Sequence, residues 1–183
     1  MDRLTGRAPL HVARPEVGMT AEKAVDVLFR RHYAALLRVA VAMLGSRDGA
    51  EDAVQDAFVS LFRHWDRLRD PAAAEPYLRS AVLNRCRSGI RDRIRTRTLA
   101  DLHVVPPPVE GSDQAVTVHQ DNQKLAQALR QLPPRQREVV ACRYLFELTV
   151  AETAETLGIS VGAVKRHAYR GLRSLHTVLE GTR

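Results

Sequence analysis

The segment from Thr149 to Leu175, TVAETAETLGISVGAVKRHAYRGLRSL, constrains the fold more than any other part of the chain. Thr149 is followed three residues later by Glu152, a spacing that predicts a capping box at the start of a helix. Gly158 permits a sharp backbone turn, and Ser160 is a favourable N-cap for a second helix. Two helices joined by so short a turn must cross closely, so the segment predicts a helix-turn-helix.

The second predicted helix has two chemically different faces. Its apolar residues recur at helical spacing and predict the buried side: Val164, Ala168, Leu172 and Leu175. The other side has no acid, and from it we predict the DNA-contacting set: Ser160, Lys165, Arg166, His167, Tyr169, Arg170 and Arg173. A helix of this kind suits a DNA major groove. The alternative is an ordinary hydrated basic face, since helix-turn-helix shapes also occur in proteins that do not bind DNA.

The composition of the whole chain agrees with a nucleic-acid partner. The 183 residues carry a formal net charge of +7, and 45% are hydrophobic, which suffices for one domain or two small ones with real cores. Cys86 and Cys142 match no metal-ligand spacing, so we expect reduced, buried thiols, and neither a metal nor another cofactor. No apolar run reaches the length of a membrane span and no signal-peptide core is present, so we expect a cytoplasmic protein that does not insert into a membrane.

Helical periodicity divides the chain and predicts an all-α fold of two small helical domains joined by a flexible linker, with the helix-turn-helix in the second domain. The linker is Pro-rich and aperiodic, with PPPVEGSDQ at its centre. The predicted boundaries are a disordered extension at 1–18, a first domain at 19–97, the linker at 98–120 and the second domain at 121–183. Met19 begins a sequence that reads like a natural start. Initiation there is a hypothesis that the mass of the native protein would test.

Three helices are predicted in the first domain. The first covers about residues 21–44 and ends at Gly45, and the second covers 47–68 with Ser46 as its N-cap. The third begins at Pro76, because proline suits the first turn of a helix.

The start of the second helix is rich in acids. The helix dipole favours acids there, but Asp52 and Asp56, one turn apart beside Gln55, exceed what capping needs. Three interpretations stay open: a docking surface for a basic partner, a divalent-metal site, or a hydrated face. The metal site is the least favoured, because no histidine or further acid cluster completes a coordination shell.

The third helix carries the strongest basic surface of the chain. Asn84 projects from it, and its outer side sets a run of arginines against the single acid Asp92: Arg79, Arg85, Arg87, Arg91, Arg93, Arg95 and Arg97. Arginines suit phosphate contacts and stacking on unpaired bases, and so uneven a charge run would repel itself without a polyanion. This helix predicts a second nucleic-acid surface, with a hydrated helix end as the alternative.

Together these features resemble the sigma-70 family, and within it the small two-domain extracytoplasmic-function (ECF) sigma factors. The resemblance covers about residues 25–179. It rests on three segments in this order: SRDGAEDAVQDAFVSLFRHW, YLRSAVLNRCRSGIRDR and LPPRQREVVACRYLFELTVAETAETLGISVGAVKRH. Tyr77 stands where the family often has Trp, and His167 where Ser or Arg is common, so we infer no promoter preference.

The resemblance implies a dissociable factor, not an enzyme and without catalytic residues, that binds core RNA polymerase and directs promoter recognition, promoter melting and transcription initiation. It implies contacts with the polymerase β′ clamp and β flap, the clamp being met by the acidic second helix. The residues that match this docking helix are Asp52, Gln55, Asp56 and Phe58. Family members are often held inactive by an anti-sigma factor, which adds such a protein to the expected partners without identifying it.

The resemblance also assigns promoter DNA to the two basic surfaces. In the family the third helix and the loop before it open the −10 element and hold flipped bases, and the distal recognition helix reads the −35 element. The −10 assignment falls on Arg69, Tyr77, Asn84, Arg85, Arg87 and Arg91. The −35 assignment falls on the DNA-contacting set of the second helix of the helix-turn-helix, from Ser160 to Arg173.

Two other classes of protein account for part of the sequence. A stand-alone helix-turn-helix regulator would explain the last third, but the first hundred residues offer an arginine-rich helix in place of a ligand-sensing or dimerising domain. An enzyme acting on nucleic acid would need Asp48, Glu51, Asp52 and Asp56 around a metal, yet these acids cluster at one helix start. Dependence on core polymerase separates the first class, and a nuclease assay with divalent ions tests the second.

Overall fold

The fold is given by a computed structural model that describes residues 18–68, 70–100 and 118–180, with side chains at 18–68, 70–96 and 125–180. Arg69, the side chain of Arg97, the predicted extension before Gly18 and linker residues 101–117 lie outside the described residues.

Every regular element in the described ranges is a helix, which confirms the all-α prediction and its division into two helical units. The helices are α1 Ala21–Leu44, α2 Arg47–His64, α3 Ala74–Ala100, α4 Val118–Gln131, α5 Pro134–Val140, α6 Val150–Leu157 and α7 Val161–Glu180. We call α1–α3 the proximal unit and α4–α7 the distal unit. None of the helices described is both long and apolar enough to cross a membrane.

The predicted bounds hold well for α1 and need correction for the next two helices. The second helix stops at His64 and passes into a single 3-10 turn, Trp65–Arg67. The third helix starts at Ala74, so Pro76 is its third residue and not its first. The reason is local: Asp70 accepts a hydrogen bond from the Ala72 amide at 2.8 Å and starts a 3-10 turn that runs directly into α3.

The proximal unit is a three-helix bundle with an aliphatic core. Its largest fully buried side chains are Leu28, Leu36, Met43, Leu61, Leu78 and Leu83. Trp65 closes one end of the bundle, where its indole Nε1 donates to the Met19 carbonyl at 3.1 Å. The α1 helix ends at Gly45, whose φ of 74° is left-handed and suits glycine.

The distal unit contains the predicted helix-turn-helix, formed by α6 and α7. Thr149 and Glu152 make the capping box, with the Glu152 amide donating to the Thr149 hydroxyl at 3.2 Å and the Thr149 amide donating to the Glu152 carboxylate at 2.7 Å. Gly158 turns the chain with a φ of 63°. The prediction of this motif is therefore confirmed at its start and at its turn.

The two units pack against each other through a continuous apolar core. Val139, Cys142, Leu148 and Leu157 of the distal unit belong to the same buried cluster as the proximal side chains. Conversely, Ala42 of α1 is buried with distal residues such as Leu129. The pieces of chain on either side of the predicted linker thus meet face to face.

Close packing between α5 and α7 generates the first prediction. A Cβ atom added to Gly171 would lie 2.7 Å from the Val140 Cγ2, so Gly171→Ala forces the two helices apart. This overpacking should lower the free energy of unfolding by about 1–3 kcal/mol. That loss exceeds the roughly 1 kcal/mol by which alanine favours a helix over glycine. Urea unfolding measures the change.

Gly162→Ala on the same helix is the matched control, because nothing lies within 4 Å of its added Cβ. It should stabilise the chain by about 0.5–1 kcal/mol. Equal effects of the two substitutions would contradict a tight crossing at Gly171.

Candidate nucleic-acid interface

The α7 helix is positioned by its cap and by its buried stripe. The Ser160 hydroxyl accepts from the Ala163 amide at 3.2 Å, as predicted for an N-cap. Val164, Gly171 and Leu175 are buried, whereas Leu172 is 41% exposed. The expectation that Leu172 is buried is wrong, because the close crossing of α7 over α5 places Gly171 at the contact and turns Leu172 outward.

The outer face of α7 carries most of the residues predicted to contact DNA. Lys165, Arg166, Arg170 and Arg173 are exposed, and Tyr169 is exposed by 69%. In the described part of the chain, none of these four cations forms an ion pair with a carboxylate. Their guanidinium and ammonium groups are therefore available for phosphates or base edges.

His167 occupies a different position from the other members of the set. It is half-buried, and among the described atoms its buried Nδ1 has no hydrogen-bond partner. Of the predicted residues on α7 it is the least open to a ligand outside the helix.

The second predicted basic surface, on α3, is tied to other parts of the protein. Arg85 pairs with Asp56 on α2 at 3.2 Å. Arg87 donates to both carboxylate oxygens of Glu138 in the distal unit, at 2.7 and 3.2 Å, and donates to the Asn84 side chain at 2.8 Å. These side chains must exchange partners before they can hold DNA.

The remaining residues of this predicted set differ in exposure. Tyr77 is half-buried between α2 and α3, and its hydroxyl shares a hydrogen bond of 2.7 Å with Ser60. Arg91 is exposed and donates to the Ser88 hydroxyl at 3.1 Å, a contact that water or phosphate replaces easily. Arg69 lies outside the described residues.

Arg93 belongs to the arginine run, but its side chain binds other parts of the proximal unit. It donates to the Leu44 carbonyl at 2.5 Å and to the Ser46 hydroxyl at 2.8 Å. Ser46 therefore stands at the predicted N-cap of α2, but its hydroxyl serves Arg93 and makes no cap hydrogen bond. Arg93 joins α3 to the end of α1, a role that its place in a basic run does not reveal.

The predicted docking residues on α2 differ in exposure. Asp52, Gln55 and Asp56 are exposed on this helix. Phe58, predicted as part of the same docking surface, is only 5% exposed and packs its ring 5.1 Å from that of Phe29. As folded, Phe58 is a core residue, because it shares the inward side of α2 with Val54 and Leu61.

Sequence reasoning missed the apolar part of this face. Val59 is 46% exposed and Phe62 is 45% exposed, close in helical register to the acids. Their spacing after Asp52 and Gln55 was the available signal. These two side chains add exposed apolar area to the acidic face.

The cysteines and possible metal ligands show no further site in the described ranges. Burial raises the pKa of both Cys86 and Cys142 to about 12, so these free thiols stay protonated and unreactive at neutral pH. No three His, Cys, Asp or Glu side chains of the described residues form a group that could hold a metal ion.

Comparison with known families places two matches along the chain. Residues 28–96 match the model of sigma-70 region 2, and residues 122–175 match that of sigma-70, region 4. These ranges fall on the proximal and distal units respectively.

Comparison with individual proteins finds relatives over most of the length. The RNA polymerase sigma-E factor of Streptomyces avermitilis is 33% identical over 146 residues, covering 80% of this chain and 79% of that protein. The ECF RNA polymerase sigma factor SigM of Mycobacterium tuberculosis is 33% identical over 156 residues, covering 85% of this chain and 77% of that protein.

Two solved structures share the fold. CnrH, solved in complex with the cytosolic domain of CnrY, has a TM-score of 0.68 and 23% identity, covering 88% of this chain and 91% of that chain. The sigma factor RpoE of Bartonella quintana, solved with the anti-sigma factor NepR, has a TM-score of 0.66 and 23% identity, covering 84% of this chain and 97% of that chain.

The exposed cations of α7 generate the second prediction. Arg170→Ala should weaken binding to duplex DNA carrying the preferred site by about 1–3 kcal/mol if the side chain reads a base edge. Arg30→Ala is the control, since it removes the same charge from an exposed position on α1. Fluorescence anisotropy on preferred and scrambled duplexes measures both. Equal losses for both variants, or an Arg170→Ala loss independent of sequence, would contradict base readout by Arg170.

Proposed function

The chain belongs to the sigma-70 family as an ECF RNA polymerase sigma factor, and from this premise we propose how its surfaces divide the work. A protein of this kind binds core polymerase and directs promoter recognition, melting and initiation. A stand-alone helix-turn-helix regulator is not favoured, because residues 28–96 match region 2, a part that such a regulator does not need. We propose that the chain acts by binding alone and has no catalytic activity of its own.

The −35 element is assigned to α7. Support comes from its cap at Ser160, its exposed Tyr169, and four exposed cations without a carboxylate partner in the described part of the chain: Lys165, Arg166, Arg170 and Arg173. A helix with one apolar side against its scaffold and a cationic outer side can enter a major groove without burying an acid against phosphate. Phosphate contacts would supply a salt-sensitive affinity, and base contacts the specificity.

The −10 element is assigned to the outer side of α3 and the turn before it. Arg91 is exposed, and Asn84 carries an amide that can pair with a base edge. Arg85 and Arg87 add cations for the backbone once their carboxylate partners are exchanged for phosphates. Tyr77 is half-buried, so its contribution is an aromatic edge at the rim of such a site.

Core polymerase is assigned to the exposed face of α2. Asp52, Gln55 and Asp56 supply the polar part, and Val59 and Phe62 supply exposed apolar area. Protein interfaces combine an apolar centre with a charged rim that steers association, and this face has both.

We extend the proposal to an anti-sigma partner. The solved RpoE of Bartonella quintana has this fold and was captured with the anti-sigma factor NepR. A protein that covers one of the two nucleic-acid surfaces would inactivate such a factor, and this supports a partner of that kind.

The observation that carries the function is the order of the two family matches, region 2 over the proximal unit and region 4 over the distal unit. The test is reconstitution of the full chain with bacterial core RNA polymerase, followed by transcription from a genomic promoter library. We expect specific start sites that share two upstream elements. Duplex DNA binding without polymerase binding would overturn the proposal in favour of the stand-alone regulator.

The apolar side chains of α2 generate the third prediction. Phe62→Ser removes an exposed aromatic from the proposed interface and should weaken polymerase binding by about 1–2 kcal/mol. Leu179→Ser on α7 is matched in exposure, at 41% against 45% for Phe62, but lies off the α2 face, so it should weaken polymerase binding less than Phe62→Ser does. Titration of labelled core polymerase measures both affinities. An unaltered affinity for Phe62→Ser would remove α2 from the interface.

A further inference from the structure

The start of α3 is joined by polar side chains to both other helices of the proximal unit. The 3-10 turn Pro71–Ala73 runs directly into α3 and belongs to the proposed −10 surface. On the α2 side, the hydroxyls of Tyr77 and Ser60 share a hydrogen bond of 2.7 Å. On the α1 side, the contact is made by Glu75, in the first turn of α3. A helix end that is held from two sides presents the turn before it in one position.

Each carboxylate oxygen of Glu75 faces a different nitrogen-bearing side chain. Arg79, one turn further along α3, donates to Oε1. The Nε2 atom of His32 on α1 lies 3.7 Å from Oε2, which is longer than a hydrogen bond but close enough for an electrostatic contact. Glu75 is 28% exposed, Arg79 21% and His32 15%, so water screens this group only in part.

His32 meets Glu75 as a neutral residue. Burial is the largest effect and lowers the pKa of His32 below its ordinary value, Glu75 raises that pKa, and Arg31 and Arg79 lower it. At neutral pH the ring is therefore mainly uncharged, and a carboxylate facing Nε2 favours the tautomer with its proton on that atom. The contact is then between an N–H dipole and a carboxylate. A glutamine amide offers the same kind of donor without a charge.

We propose that His32 is a positioning residue for the −10 surface, which rests on the proposed function given above. His32 acts through Glu75, whose carboxylate it keeps against α1 together with the first turn of α3. Tyr77 stands two residues after Glu75, and the exposed Ala72 and Ala73 stand just before it, so this part of the surface moves with the contact. Loss of the contact should weaken the hold on unpaired −10 DNA. The −35 and polymerase surfaces lie on α7 and on the exposed face of α2, away from it.

The decisive variants are His32→Ala, His32→Gln and Glu75→Gln in the full-length chain. His32→Ala removes the ring that faces the carboxylate, whereas His32→Gln keeps a neutral N–H donor. Glu75→Gln removes the charge on the other side of the contact. Glu75 is more exposed than His32, so Glu75→Gln carries the test if His32→Ala folds poorly.

Val41→Ala is the matched control. Val41 is a half-buried apolar side chain on the same helix, nine residues after His32 and therefore about 14 Å further along the helix axis. Its substitution trims the packing of α1 far from the contact with Glu75. Thermal unfolding of every variant shows how far a loss of DNA binding follows a loss of stability.

Each variant is combined with core polymerase, and three affinities are measured. They are the affinities for core polymerase, for a −35 duplex, and for a labelled single strand that carries the −10 element of a promoter used by the wild-type chain. We expect His32→Ala and Glu75→Gln to weaken binding of the single strand about fivefold, and His32→Gln to restore it to within about twofold of wild type. Val41→Ala should leave it unchanged. The other two affinities should not change in any variant.

The double variant His32→Ala/Glu75→Gln tests whether His32 acts through Glu75. If it does, the double variant should lose no more affinity for the single strand than Glu75→Gln alone. Additive losses would overturn the proposal, as would full affinity for the single strand in His32→Ala. Equal losses for all three binding partners, or a loss in Val41→Ala that follows its unfolding temperature, would reduce His32 to an ordinary packing residue and also overturn it.

Failure of this proposal is distinguishable from failure of the proposed function. Transcription by the wild-type chain with core polymerase tests the function and does not depend on His32. Wild-type transcription together with full −10 binding by His32→Ala would reject the positioning role alone. A wild-type chain that does not bind core polymerase would reject the sigma-factor function, and the positioning role with it.

Discussion

The last carbonyls of α1 have no hydrogen-bond partner within their own helix, and the arrangement of the chain depends on how they are satisfied. The last carbonyls of any helix lack partners within that helix, and α1 has no basic residue in its own last turn. Gly45 satisfies only the Val41 carbonyl, through its amide. The next carbonyls therefore recruit donors from α3, α4 and α5, and cationic donors are favoured there because the helix dipole is negative at that end. One helix end thus brings together elements from both halves of the chain.

The same chemistry explains why arginines serve such different purposes in this protein. A guanidinium donates in a planar fork that fits a carbonyl, a carboxylate or a phosphate. Arg93 donates to a carbonyl and Arg87 to a carboxylate. In the described ranges the four exposed cations of the α7 outer face have no carboxylate partner. Composition indicates that the chain has basic surfaces, but it does not indicate which arginines are committed to holding the protein together.

Prediction from the sequence succeeded where the determining interactions are local. The capping box at Thr149, the left-handed Gly158 and the end of α1 at Gly45 depend on residues within a few positions, and all three are found. Prediction failed where contact with a residue distant in sequence determines whether a side chain is buried. Phe58 is buried by its contact with Phe29 on another helix, and Leu172 turns outward because Gly171 is needed at the crossing with α5.

Glu138 is the most instructive omission. In the sequence it follows the polar stretch RQR and precedes the apolar run VVAC, so its own burial cannot be read from its neighbours. Its burial depends on Arg87, 51 positions away, and therefore on how the two units meet. Which residues are free to meet DNA is consequently a property of the assembled chain, which a reading of single motifs does not contain.

Apolar and charged contacts contribute differently to the packing of the two units. The apolar side chains shared between the units, such as Val139 and Leu148, favour contact without fixing one geometry. The Arg87–Glu138 fork joins α3 to α5 in one defined geometry, and Glu138 has a second cation, Arg135 at 2.9 Å, on its own helix. The ion pair therefore contributes more to the register in which the two units meet than to the strength of their contact.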